Sequence, residues 1–202
     1  MSDFFKTVKG LSQAKYTEKM SRFLAYVEPV QSADEAKAVV KRYANDYHDA
    51  RHVCWAYMIG TERNEYPSSD NGEPSGTAGK PILGQINSFG LTNVVIVVVR
   101  YFGGIKLGTS GLIQAYRAAA AEAIAAATIV ERTIDRTLHI QFDYLLMNDV
   151  MRILKELGLT PRNQQFGLDC RLDVPVRQSQ SVRAYDSLAK LYGLKIDIAE
   201  NN

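Results

Sequence analysis

Ser75, Gly76, Thr77 and Lys80 lie close together in the stretch NGEPSGTAGKP, from Asn71 to Pro81. Glycines let a chain adopt positive φ and bring backbone N–H groups close to a ligand. Successive N–H groups in such a loop form an anion-binding concavity, and a following helix adds the positive end of its dipole. The Ser75 and Thr77 hydroxyls would complete the donor set, and Lys80 would supply a point charge. Asp70 and Glu73 stand just upstream. They read either as an acidic pair that could hold magnesium or serve as a base, or as solvated turn-forming acids, which is the plainer reading.

A second glycine cluster, FGGIKLGTSG, begins at Phe102 and follows the apolar run NVVIVVVRY. It leads into LIQAYRAAAAEAIAAA, whose alanines favour a helix. This strand–loop–helix unit presents Arg100, Tyr101, Lys106, Thr109, Ser110 and Arg117. Together with the first loop these residues form a candidate phosphate- or RNA-binding set. Ligands of open α/β sheets favour the region beyond the carboxyl ends of strands, where the second loop is expected to lie.

Other chemistries find less support. Gly79-Lys80 would end a nucleotide P-loop, but Pro74 and Pro81 occupy positions where that motif needs Gly and Ser or Thr. Gly103, Gly104 and Gly108 have the wrong spacing for a dinucleotide fingerprint. His48 and His52 are four apart, but the first is expected at a helix end and the second in a strand, so their rings would not share a face. Cys54 and Cys170 form no metal spacing or disulfide framework. No catalytic residue, metal ligand or cofactor is therefore assigned.

The chain has 202 residues and a formal net charge of +2, from 24 basic and 22 acidic side chains. That balance does not itself announce nucleic-acid binding, and no DNA specificity is expected. No apolar run is long enough to span a bilayer. The expectation is a soluble, cytoplasmic protein with no membrane partner.

The elements that must position these residues fall into two textures. Phe4–Gly10, Arg22–Pro29 and His52–Gly60 read as strands. The segment SADEAKAVVKRYANDY reads as a helix with Ser32 as N-cap and Glu35 three residues later, as in a capping box. From Arg136 onward the order is β-α-β-β-α-β, the ferredoxin-like pattern, with helices closed by Gly158 and Gly193. The expected domains are 1–133 and 134–202. The second carries nine basic and nine acidic side chains, which leaves the whole excess of +2 in the first.

DNGEPSGTAGKPIL followed by VIVVVRYFGGIKLGTSGLIQAY resembles the IMPACT family, and the likeness extends through KMSRFLAYVEPV to essentially the whole chain. Asn71 stands where many members have a second Asp, and Ser110 where many have Gly. The resemblance implies an α/β (α+β) two-domain fold, with an N-terminal domain similar to the second domain of ribosomal protein S5 and a ferredoxin-like C-terminal domain. Eukaryotic members act in translational control, which implies contact with RNA, the ribosome or a translation-related protein. Three functions stay open: an RNA- or ribosome-binding regulator using the glycine loops, a protein-interaction module with structural loops, and a nucleotide- or phosphometabolite-binding enzyme.

Overall fold

The computed structural model describes residues 3–200, so the outermost residues of both expected domains, 1–2 and 201–202, lie outside it. In chain order the elements are β1 (Phe4–Val8), β2 (Ser12–Glu18), β3 (Ser21–Pro29), α1 (Ala33–Asp46), β4 (His52–Met58), β5 (Ser68–Ser69), α2 (Gly79–Ser88), β6 (Val94–Tyr101), α3 (Gly108–Ala125) and β7 (Ile129–Thr133), then β8 (Asp135–Asp143), α4 (Met147–Glu156), β9 (Arg162–Gln165), β10 (Asp169–Arg177), α5 (Gln178–Leu188) and β11 (Lys195–Glu200). Residues 5–132 form one compact unit; residues 133–200, with residues 3 and 4, form the other.

The first unit is built on a five-stranded sheet in the order β2-β3-β6-β4-β5. β6 is central, and Val94 through Val99 are fully buried, as expected for a continuous β-branched run covered on both faces. One face carries Phe23, Ala25, Cys54, Ile96 and Val98 and packs on α2 and α3. The other carries Tyr26, Tyr57, Val95 and Val97 and packs on α1. Ala115, Ala119, Ala120 and Ala123 are buried along α3; their small side chains let the helix lie close to the sheet. Every pairing in this sheet is antiparallel. The second loop leaves the carboxyl end of the central strand β6 and leads into α3, as expected from the sequence.

Ser32 caps α1 as expected, its hydroxyl accepting from the Glu35 N–H at 3.2 Å. The Glu35 carboxylate reaches back to the Gln31 N–H at 2.7 Å. The sequence reading missed β2, a sheet-edge strand in which exposed and partly covered residues alternate. It also gave α2 no extent of its own. Pro81 lies in that helix's first turn, where its missing N–H has no intrahelical partner to lose. Gly79 opens it because a Cβ there would lie 2.8 Å from the Ser69 nitrogen.

The second unit runs β8-α4-β9-β10-α5-β11. Its sheet has the order β11-β8-β10-β9, with antiparallel pairing throughout, which is the ferredoxin-like fold. Its core joins Leu138, Ile140, Phe142, Leu172, Val174 and Val176 of the sheet to Val150 and Leu154 of α4 and Ala184 and Leu188 of α5. Gly158, at φ +67°, follows the end of α4. Gly193 does not close α5, which ends at Leu188. Successive turns from Leu188 to Leu194 replace its last residues and tuck Leu191 and Leu194 against the core.

Candidate functional site

Both glycine loops lie in the first unit, and their side chains do different work from the one the sequence suggests. Asp70 follows β5 and opens two consecutive turns. In these, the Glu73 N–H donates to the Asp70 carbonyl at 3.0 Å and the Thr77 N–H to the Pro74 carbonyl at 3.1 Å. The turns fold the loop around the Asp70 carboxylate. It accepts from the N–H groups of Gly76 at 2.7 Å, Ala78 at 2.9 Å and Gly79 at 2.8 Å. The last two open α2, which has no cap side chain of its own. A carboxylate there satisfies orphan donors and complements the helix dipole. Burial alone would raise the Asp70 pKa, but the three backbone bonds and the nearby Lys80 outweigh it and hold the carboxyl below its ordinary value.

The concavity inferred from the glycines thus exists, but its anion is the chain's own. The expected contact of the Gly76 N–H with an external phosphate is corrected, because that donor is already bonded. Thr77 is corrected likewise: it is buried, and its hydroxyl donates to the Pro74 carbonyl at 2.6 Å. With these donors engaged, the loop lacks the open phosphate cradle that the nucleotide-enzyme reading relied on.

Glu73 is not a solvated acid either. It is buried, and its Oε1 accepts from Arg100 Nη1 at 2.7 Å and from the Tyr116 hydroxyl at 2.8 Å. His52 Nε2 lies 4.0 Å away. The His52 Nδ1 stands 2.9 Å from the Asn71 carbonyl; a carbonyl only accepts, so Nδ1 carries the proton. The Cys54 thiol lies 2.9 Å from the Asp70 carbonyl and 3.3 Å from the Tyr116 hydroxyl, and its burial pushes the pKa up to about 12. Burial also raises the Tyr116 pKa, with Cys54 and Glu73 adding to the shift.

Arg100 is only 5% exposed, so its expected role as a phosphate contact is corrected. It holds Glu73, and its Nε is buried without a hydrogen-bond partner. Tyr101 turns to the opposite sheet face, where its hydroxyl donates to Asp49 at 2.8 Å.

What remains open to solvent is a cleft of about 460 Å³ between α2 and α3, lined by Gly76, Lys80, Gln85, Ser88, Ile113 and Arg117 among others. Lys80 projects from the first turn of α2 and Arg117 from α3, both exposed. No carboxylate lines the cleft. Ser75 is exposed beside Gly76. Lys106, Thr109 and Ser110 are exposed at the start of α3 and do not line the cleft. The structure thus brings Gly76, Lys80 and Arg117 together, leaves Lys106, Thr109 and Ser110 on the neighbouring loop and helix start, and buries Arg100 and Thr77.

Sequence reasoning missed Cys54, Tyr116 and Ser21, whose hydroxyl accepts from Arg100 Nη2 at 3.5 Å, as members of this network. A hydroxyl on the buried face of an alanine-rich helix was the available signal for Tyr116, because a buried tyrosine hydroxyl needs a partner.

The Impact N-terminal domain family model matches residues 19–124. The IMPACT family member YvyE of Bacillus subtilis is 31% identical over 96% of this chain and 89% of its own length. YigZ of Escherichia coli is 36% identical over 67% of this chain and 68% of its own. Protein IMPACT of Rattus norvegicus is 36% identical over 47% of this chain but only 31% of its own length. A crystal structure described as that of a hypothetical protein superimposes over 100% of this chain and 99% of its own, with a TM-score of 0.70 and 27% identity.

Proposed function

The chain belongs to the IMPACT family, and on that footing we propose that it is a translation-associated cytoplasmic protein that binds RNA, including RNA on the ribosome. The observation that carries this reading is the pair Lys80 and Arg117. They stand on two different helices across one cleft, and neither is ion-paired within 4.0 Å among the described residues. Two unpaired cations over a carboxylate-free groove suit a phosphate backbone. Arg117 offers a planar fork and Lys80 a point charge. Ser75 adds an exposed hydroxyl beside Gly76, and Lys106, Thr109 and Ser110 extend the polar surface around the start of α3. The first glycine loop serves by leading into α2 and placing Gly76 at the groove rather than by cradling phosphate itself.

The test is co-sedimentation of the purified protein with ribosomes at roughly 50 and roughly 300 mM salt, because phosphate binding weakens as counterions are released. Association that falls with salt and is lost in Arg117→Ala supports the reading. Association that ignores both salt and the substitution, or none at either salt, overturns it.

A further inference from the structure

We propose that Phe102 is a stacking platform for an unpaired base, so that the ligand is single-stranded rather than duplex RNA. This deepens the RNA-binding reading and rests on it. Three apolar side chains are open to solvent around the second glycine loop: Phe102 at 50%, Ile105 at 49% and Met20 at 72%. Gly103 brings them to one place. A Cβ on it would fall 2.0 Å from the Met20 carbonyl carbon and 2.3 Å from the Ser21 nitrogen, and its N–H donates to the Ser21 hydroxyl at 3.2 Å. The β2–β3 turn and the second loop are therefore sealed backbone against backbone.

The Phe102 ring also stands on a fixed support. The Arg100 guanidinium carbon lies 5.7 Å from its centroid and 5.6 Å from that of Phe23, and Arg100 is itself anchored by Glu73. The buried ion pair thus holds a half-exposed aromatic ring in place, at little further entropic cost when a ligand lands on it. Lys19 and Lys106 flank the patch in sequence, both exposed, and neither is ion-paired within 4.0 Å among the described residues. Glu18, next to Lys19, is engaged by the Tyr16 hydroxyl at 3.2 Å.

A rigid exposed ring among cations is the arrangement that binds single strands, where bases stack on aromatics and phosphates meet Lys and Arg. A duplex keeps its base faces inside and offers none to the ring. Protein interfaces are depleted in Lys, whereas here lysines stand on both sides of the apolar patch, so RNA is favoured over a protein partner.

The test measures affinity for a labelled, unstructured RNA of about twelve nucleotides and for a duplex of the same length, across a salt series. The wild type is expected to prefer the single strand. Phe102→Ala should weaken single-strand binding by about 5- to 100-fold while leaving its salt slope unchanged, because no cation is lost. Phe102→Tyr, which keeps the ring, should bind like the wild type. Single-strand affinity unchanged in Phe102→Ala while Lys80→Ala weakens it would overturn the stacking proposal and leave the phosphate-binding cleft intact. Absence of RNA binding by the wild type would overturn both. Loss of ribosome association in Phe102→Ala with unchanged affinity for free RNA would assign the patch to a protein partner and overturn the proposal.

Discussion

Glu73 and Arg100 are 27 residues apart in sequence and meet at 2.7 Å in a buried ion pair. One comes from the first glycine loop and the other from the end of the central strand, so this contact ties together the two segments that the sequence marks as special. The Tyr116 hydroxyl completes the coordination of the carboxylate from α3.

Breaking this pair from one side leaves an uncompensated buried charge, which costs about 3–5 kcal/mol. Glu73→Ala and Arg100→Ala should each lower the urea midpoint accordingly. Glu73→Leu combined with Arg100→Met should recover most of the loss, because replacing a buried pair by apolar residues is often close to neutral. Single substitutions that cost under about 1 kcal/mol, the range of exposed pairs, would contradict the buried geometry.

Asp70→Asn removes the charge that three N–H groups point at, and hydrogen bonds to charged groups contribute about 1.5–3 kcal/mol each. The native Asp70 pKa lies below its ordinary value of 3.8. Its contribution is therefore full above that value and is lost as pH falls through the native pKa, since the unfolded chain takes up the proton first. Chemical melts from neutral pH to about pH 2 should show the wild type losing more stability on acidification than Asp70→Asn. Parallel acid profiles would refute the role of the carboxylate.

Cys54 titrates the other way. Its ordinary pKa is 9.0, and burial raises it to about 12. The unfolded thiol ionises first, so this contribution to stability is present below the ordinary value and fades as pH rises toward the native one. In the native protein at mildly alkaline pH, neither Cys54 nor Cys170 should react with a disulfide-exchange reagent, because both are buried; both should react once urea unfolds the chain. Fast native labelling of Cys54 would show that the network opens readily.

Gly103→Ala places a Cβ where the Met20 backbone already lies. Neither backbone can yield cheaply, so the loss should reach or exceed the roughly 1–3 kcal/mol typical of overpacking. Thermal melts should show it as a clear drop in midpoint. Gly104→Ala, which meets no atom within 4 Å but sits at φ +88°, should cost only the backbone strain of about 1–3 kcal/mol. A harmless Gly103→Ala would mean that the two loops are not sealed together.

Local signals were legible where local physics decides the outcome. Ser32 with Glu35, the β-branched run of β6 and the element order after Arg136 each carry their own cause. What the sequence hid depends on neighbours far along the chain. Asp70 and Glu73 look like loop acids until the turns aim one at the start of α2 and bury the other against Arg100. Arg100 looks like a free cation because nothing within the strand reveals its partner. β2 was missed because an edge strand needs only a weak apolar alternation, carried here by Ala14 and Tyr16. Gly79, Pro81 and Gly84 hid α2, since tertiary packing of Gly79 against Ser69 overrides their poor helix propensity.

The carboxylate held in the first loop also makes that loop a competitor. Any free anion must displace a group tethered by a few residues of chain, and a tether of that length sustains an effective concentration of about millimolar or more. Dissolved phosphate or sulfate is thus at a disadvantage at the loop, whatever its affinity for bare N–H groups. Recognition is passed to side chains on separate helices, where only a ligand long enough to reach several of them at once gains an advantage over small ions.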